Sequence, residues 1–336
     1  MATHLLEVQD LIGYYRGNFG VVHGTDGVSL TLDSGEIMGI AGESGCGKTT
    51  LANLITFTPP PLLHHEGGKI IIDGVDLYAT DPEIVRTEIK CKRMSYVPQA
   101  SMESLNPVMR IRDFIFDVVG QRAGSKPITG KEKQEVLKMA VLHFARLGLE
   151  PWVLDRFPHE LSGGMKQRVV IAISTLWNPK LLVVDEPTSA LDVTSQKTLI
   201  KVLLDLRRAK IIESMLYISH DLSSLRQLCD RCVIMYAGKI AELGPMDDVI
   251  NDPLHPYTQL LLNAIASYNA KGKMQGELKT IPGSVPDLRH PPEGCRFHPR
   301  CPYVMEICKT KEPEMFKPNG DEREASCWLL ASKTGE

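Results

Sequence analysis

Residues 36–55 read EIMGIAGESGCGKTTLANLI: an apolar run, a glycine-rich turn and the start of a helix. Gly42, Gly47, Lys48 and Thr49 fit G-x-x-x-x-G-K-[ST], with Gly45 as a further glycine in the turn. Glycines at these places let the backbone wrap closely, so that its N–H groups face a β-phosphate. The helix that begins near Lys48 adds the partial positive charge of its N-terminus. Lys48 is expected to reach the β- and γ-phosphates, and the Thr49 hydroxyl to ligate Mg²⁺. Ser44, Cys46 and Thr50 complete the candidate nucleotide contacts of this cradle. A strand, a tight turn and a helix in this order predict an α/β fold with a nucleoside triphosphate site.

Two further stretches carry matching chemistry. In PKLLVVDEPTSALD (179–192) four apolar residues run into Asp185 and Glu186. A buried strand ending in two carboxylates places them at the carboxyl edge of a parallel sheet, where such folds bind ligands. Asp185 suits Mg²⁺ held through water, and Glu186 suits a general base that polarises the attacking water. In HELSGGMKQRVVIAISTLW (159–177), Ser162, Gly163 and Gly164 open a helix. A hydroxyl, two glycine N–H groups and a helix N-terminus make a second anion site, beside the simpler reading of a serine N-cap. Spacing does not decide whether the two helix starts serve one nucleotide.

LSGGMKQR, together with these motifs in this order, resembles the ABC ATPases over about the first 265 residues. The resemblance implies further roles. Tyr15 falls at the adenine-stacking aromatic. Gln99 in YVPQ falls at the glutamine that senses the γ-phosphate and contacts the transporter, and is also a candidate Mg²⁺ ligand. Asp192 in SALD falls in the loop joining two ATPase subunits, and His220 in ISHD at the switch histidine that touches the γ-phosphate. Glu186, His220 and Gln99 are thus the catalytic candidates. A head-to-tail dimer is implied, in which Ser162, Gly163 and Gly164 cap the ATP held by the second subunit's copy of Lys48. Cys46 stands where serine is common in that loop. A thiol beside a helix N-terminus favours thiolate, and labelling is expected only when the site is empty.

The implied fold is a P-loop NTPase core of ABC ATPase type with an antiparallel β flank and a helical subdomain. Strands near 5–15, 20–33 and 36–41 read as the flank, residues 101–165 as the helical insert, and 166–264 as alternating strands and helices. Residues 1–265 are read as the ATPase domain and 266–336 as a small cysteine-rich extension.

That extension, with HPYT, IPGSVP and GCRFHPRCPYVMEIC before it ends, resembles the oligopeptide/dipeptide permease branch of ABC importers, in its subunit type with tail cysteines. The resemblance implies a [4Fe–4S] cluster on Cys295, Cys301, Cys308 and Cys327. Taken alone, the residues leave iron–sulfur, zinc and reduced thiols open. A tail this short needs a metal or crosslink to fold, there is no C-x-x-C zinc knuckle in it, and Pro302 follows Cys301 as in ferredoxin-type ligands. His298 is a substitute ligand. Loss of the metal is expected to spare nucleotide binding, since the cradle lies in the other domain. Cys229 and Cys232 read as buried structural thiols, and Cys91 has no assigned role.

Composition bounds the partners. A net charge of −3 argues against a nucleic-acid face. The N-terminus lacks a basic secretory region, and no apolar run approaches the ~18 residues of a membrane span. The expected place is the cytoplasmic side of the membrane, as a peripheral subunit, where lasting disulfides among the eight cysteines are not expected. The implied partners are a second ATPase subunit, homologous or identical, two transmembrane permease subunits and an extracytoplasmic solute-binding protein. Peptides are the default solute; oligosaccharides or metal chelates are the alternatives. A soluble ABC ATPase acting on DNA or ribosomes fits less well, given one core and no basic patch, and a small-molecule kinase would leave LSGG unexplained.

Overall fold

Short apolar runs bounded by polar turns become the buried strands of this chain, seen in a computed structural model that describes residues 4–122, 128–189, 191–264, 267–268, 274–275, 281–318 and 322–331. The chain forms two compact units: Met1–Glu7, Thr31–Ile37 and Ile70–Ile218 make the first, and Val8–Leu30, Met38–Lys69 and Ser219–Glu336 the second.

In the first unit Met94–Val97, Leu181–Asp185 and Ser214–Ile218 lie side by side, all parallel, with Leu181–Asp185 in the middle. Every residue of LLVVD and SMLYI is buried, as expected of strands covered on both faces. Asp185 pairs in register with Ile218, so the carboxylates leave the sheet at its C-terminal end. The helical patterns after Gln99 form helices Ile111–Arg122 and Gly130–Arg146, the second opened by a reciprocal Thr129–Glu132 capping box. Helices Gly163–Thr175 and Val193–Arg208 flank the strand that ends in Asp185 in sequence.

In the second unit residues Met38–Ala41 of the strand Ile37–Ala41 run parallel to Arg231–Tyr236, with Ala41 opposite Ile234. This corrects one expectation: the third strand read as antiparallel flank is instead a parallel strand, buried at all five positions. Arg231–Tyr236 turns through Ala237 and Gly238, both at positive φ, into the antiparallel strand Lys239–Pro245. The short strand Glu324–Ala325 then pairs antiparallel with Lys239–Pro245. Leu6–Gly17 and Gly20–Leu32 are neighbours joined by a two-residue turn, Asn18 and Phe19. Among the described residues no helix is long and apolar enough to cross a membrane.

Candidate active site

The phosphate cradle is built as its sequence requires. Gly47 precedes helix Lys48–Ile55 at φ 105°, and no side chain caps that helix. The N-terminus of this helix offers N–H groups and partial positive charge to an anion in the turn. A Cβ on Gly47 would stand 2.1 Å from the Gly24 carbonyl oxygen, and one on Gly42 would stand 2.2 Å from that of Met235. Both obstacles are backbone, so the glycines are needed for close approach as well as for conformation. Lys48 is buried, and its ammonium donates to the carbonyls of Gly42 (2.8 Å) and Glu43 (2.9 Å). It sits folded into the turn it is to serve. Thr49 is half-buried, and Ser44 and Gly45 are exposed.

Cys46 departs from expectation. Its side chain is 1% exposed, and the Lys48 ammonium donates to its sulfur at 3.7 Å. Burial pushes the thiol up despite the neighbouring lysine, so it is a neutral packed group rather than a reactive thiolate. Tyr15 and Thr50 come together, their hydroxyls 3.2 Å apart, which sets the half-buried Tyr15 ring beside the first turn of the cradle helix. His220 is exposed directly before Asp221, whose carboxylate caps helix Leu222–Leu228 through Ser223 and Ser224.

The first unit carries the remaining candidates. Asp185 is fully buried. Glu186 follows it in the left-handed region at φ 46°, a conformation that costs a non-glycine residue energy and is found at functional sites. Its N–H donates to the Ile218 carbonyl (2.9 Å), and its carboxylate lies 3.5 Å from the Gln99 amide nitrogen. Two catalytic candidates are thereby neighbours. Ser162 caps helix Gly163–Thr175, accepting from the Met165 N–H, and Ser162 and Gly163 are exposed. A Cβ on Gly164 would meet the Ser195 hydroxyl at 3.0 Å. That hydroxyl donates to Asp192 (2.6 Å), whose carboxylate also caps helix Val193–Arg208 and is held below the usual range chiefly by Ser195. Asp192 therefore has a local capping task that the sequence reading did not assign to it.

The cysteine-rich segment reaches the cradle. Arg300 donates from both terminal nitrogens to the Glu43 carboxylate, at 2.7 and 3.0 Å. Tyr257 of HPYT accepts a hydrogen bond from the Glu43 N–H at 2.9 Å. His255 caps the helix Pro256–Asn263, its Nδ1 accepting from the Tyr257 N–H at 3.0 Å. Its own N–H and that of Leu254 donate to the fully buried Glu242 carboxylate. Glu43, Tyr257 and Arg300 were not among the sequence-read site residues; the only signal was a carboxylate inside the glycine turn and an arginine placed directly before Cys301.

The tail thiols do not form a ready metal centre. Among the described residues no group of three or more His, Cys, Asp or Glu side chains could hold a metal ion. Burial pushes Cys295 up to about 11 and Cys327 up to about 12, and raises Cys301. Cys295, Cys301 and Cys308 each perturb Cys327 further, which puts all four in one neighbourhood. Cys295 and Cys308 are joined through backbone, N–H to carbonyl, at 2.8 Å. Cys229 and Cys232 are buried as expected.

Comparison with known proteins places the chain in a family. The family described as ABC transporter matches residues 25–189, and that described as the oligopeptide/dipeptide transporter C-terminal region matches residues 241–308. A dipeptide transport ATP-binding protein of Caldanaerobacter subterraneus is 37% identical, over 97% of both chains. An oligopeptide transport ATP-binding protein of Bacillus subtilis is 38% identical, over 98% of this chain and 89% of that one. A dimeric bacterial ABC transporter cassette, MJ0796, superposes with a TM-score of 0.61 at 22% identity, over 72% of this chain and 98% of the other. That likeness gives the fold: an ABC cassette of mixed α/β structure with two main sheets.

Proposed function

The chain belongs to the ABC transporter ATP-binding proteins of the oligopeptide/dipeptide family, and from that membership we propose that it powers an importer of di- or oligopeptides. Its activity is ATP hydrolysis coupled to transport. The observation that carries the site assignment is Glu186: a half-buried carboxylate in a strained conformation, one residue beyond the buried Asp185 and beside Gln99. Lys48 and the N–H groups of the 42–49 turn take the β- and γ-phosphates. Glu186 accepts the proton of the attacking water, Gln99 senses the γ-phosphate and contacts the transporter, and His220 touches the γ-phosphate. Tyr15 supports the adenine. Thr49, Asp185 through water, and Gln99 would hold Mg²⁺, which supplies charge neutralisation on the phosphates. The Ser162–Gly164 helix start, exposed at Ser162 and Gly163, caps the nucleotide of a second ATPase subunit, with Asp192 in the joining loop. Permease subunits and an extracytoplasmic binding protein complete the importer, with this chain peripheral on the cytoplasmic side.

The division of labour runs between the ATPase core, 1–265, and the extension, 266–336. Four soft thiol donors in one neighbourhood suit a [4Fe–4S] cluster or zinc, and the resemblance of the tail to the permease subunits with tail cysteines favours the cluster. Cys295, Cys301, Cys308 and Cys327 would hold it, and it would supply a structural crosslink.

The test is Glu186→Gln, which keeps shape but cannot take a proton. In the assembled transporter it is expected to bind ATP, hold the closed dimer and hydrolyse at under about 1% of the wild-type rate. Hydrolysis near the wild-type rate sinks the assignment.

A further inference from the structure

Glu43 lies inside the glycine turn, where a carboxylate should oppose a triphosphate. Each of its polar groups is instead engaged. Its N–H donates to the Tyr257 hydroxyl (2.9 Å), its carbonyl accepts from Lys48 (2.9 Å), and its carboxylate takes the Arg300 fork (2.7 and 3.0 Å). Arg300 is itself 6% exposed and fully committed. Its Nε donates to the Pro282 carbonyl (2.8 Å), and one terminal nitrogen also donates to the Tyr236 hydroxyl (3.2 Å). Tyr236, Tyr257 and Phe297 pack ring against ring beneath this contact, with centroids 4.6 to 5.4 Å apart. The neighbouring Arg296 donates to the Ala237 carbonyl and to Asp26.

We infer that Arg300 is a positioning residue for ATP binding, holding the phosphate turn through the Glu43 carboxylate while Lys48 engages the Glu43 carbonyl. This rests on the nucleotide site proposed above. The reason lies in what binding does to Lys48. A bound triphosphate draws the ammonium off the Gly42 and Glu43 carbonyls, and the turn loses its internal tie when it must present its N–H groups in fixed directions. The Arg300 fork and the Tyr257 hydroxyl do not depend on Lys48, so they keep Glu43 in place in both states. Arg300 also neutralises the one carboxylate in the turn. A planar fork meets both carboxylate oxygens; an ammonium on a flexible stem does not. The established motif residues touch the nucleotide, whereas Arg300 acts on the turn from residues 257 positions away.

Calorimetric titration of the full chain with MgATP separates this role from a general effect on folding, which lowers the binding stoichiometry while leaving the Kd of the folded fraction unchanged. Arg300→Met is expected to raise Kd about tenfold, ~1.4 kcal/mol, at unchanged stoichiometry. Arg300→Lys, which keeps the charge and is the gentler change, is expected to rescue less than half of that loss in logarithmic terms. Tyr257→Phe removes a single oxygen and is expected to raise Kd about threefold. Arg300→Met and Glu43→Gln together are expected to bind no more weakly than the worse single variant, because both cut the same contact. Wild-type Kd in Arg300→Lys and Tyr257→Phe, or losses that multiply in the double variant, overturn the inference while the site stands. A wild-type chain that binds no MgATP overturns the site and the inference together.

Discussion

His255 makes the structure sensitive to acid at one identifiable atom. Its ring is buried, and Nδ1 accepts the hydrogen bond that starts the helix carrying Tyr257. A proton on Nδ1 would set one N–H against another and end the cap. Burial accordingly pushes the imidazole from 6.5 to about 4, with the Ser326 backbone acting weakly the other way. The folded pKa is depressed, so the stabilisation is complete above about 6.5 and is lost as pH falls from there toward 4. The full shift is worth about 3 kcal/mol, of which about 2 is lost by pH 5. For 336 residues the unfolding entropy is about 0.7 kcal/mol per kelvin, so the melting temperature should fall about 3 °C between pH 7.5 and 5.0 on this account alone. Glu242, which faces the same backbone, is raised by burial and works in the opposite direction on acidification. His255→Asn isolates the histidine, since Asn caps a helix without titrating in this range. Scanning calorimetry at both pH values should show the variant losing about 3 °C less than the wild type. Equal losses in the two proteins would refute the cap as the titrating element.

Cys46 should resist iodoacetamide at pH 7.5 with or without MgATP and react only on unfolding, because its sulfur is buried and its thiol raised. Mass-spectrometric mapping against the partly exposed Cys91 reads this out, and rapid labelling of native Cys46 counts against the packing described. Protein purified without oxygen should carry about four iron and four acid-labile sulfide per chain, and Cys301→Ser should bleach it. Stoichiometric zinc without sulfide removes the cluster.

The cradle was legible because its requirements are local: two glycines that meet backbone, a lysine one residue later, and a helix start without a cap. Leu181–Asp185 and Ser214–Ile218 were legible for a similar reason, since burial on both faces leaves an unbroken apolar run. The partner of Ile37–Ala41 was not, because a parallel neighbour nearly 200 residues away leaves no mark on the strand itself. Nor was the Glu43–Arg300 pair, which joins charged residues with no shared period or motif. Cys46 was misread for a geometric reason. The motif places it beside a helix N-terminus, but the turn folds its side chain inward under Gly42, where desolvation outweighs the lysine.

The antiparallel pairing of Glu324–Ala325 on Lys239–Pro245 bears on solubility. Lys239–Pro245 is almost wholly buried, and Leu243 and Glu242 pair with Glu324 and Ala325, while Ser326 donates to the Ala241 carbonyl. These few residues cover backbone donors and acceptors along an apolar strand that would otherwise template the same strand of another chain. Cutting the chain before Glu324 therefore trades a closed sheet edge for a sticky one, and the shortened protein should self-associate even where its ATPase machinery is intact.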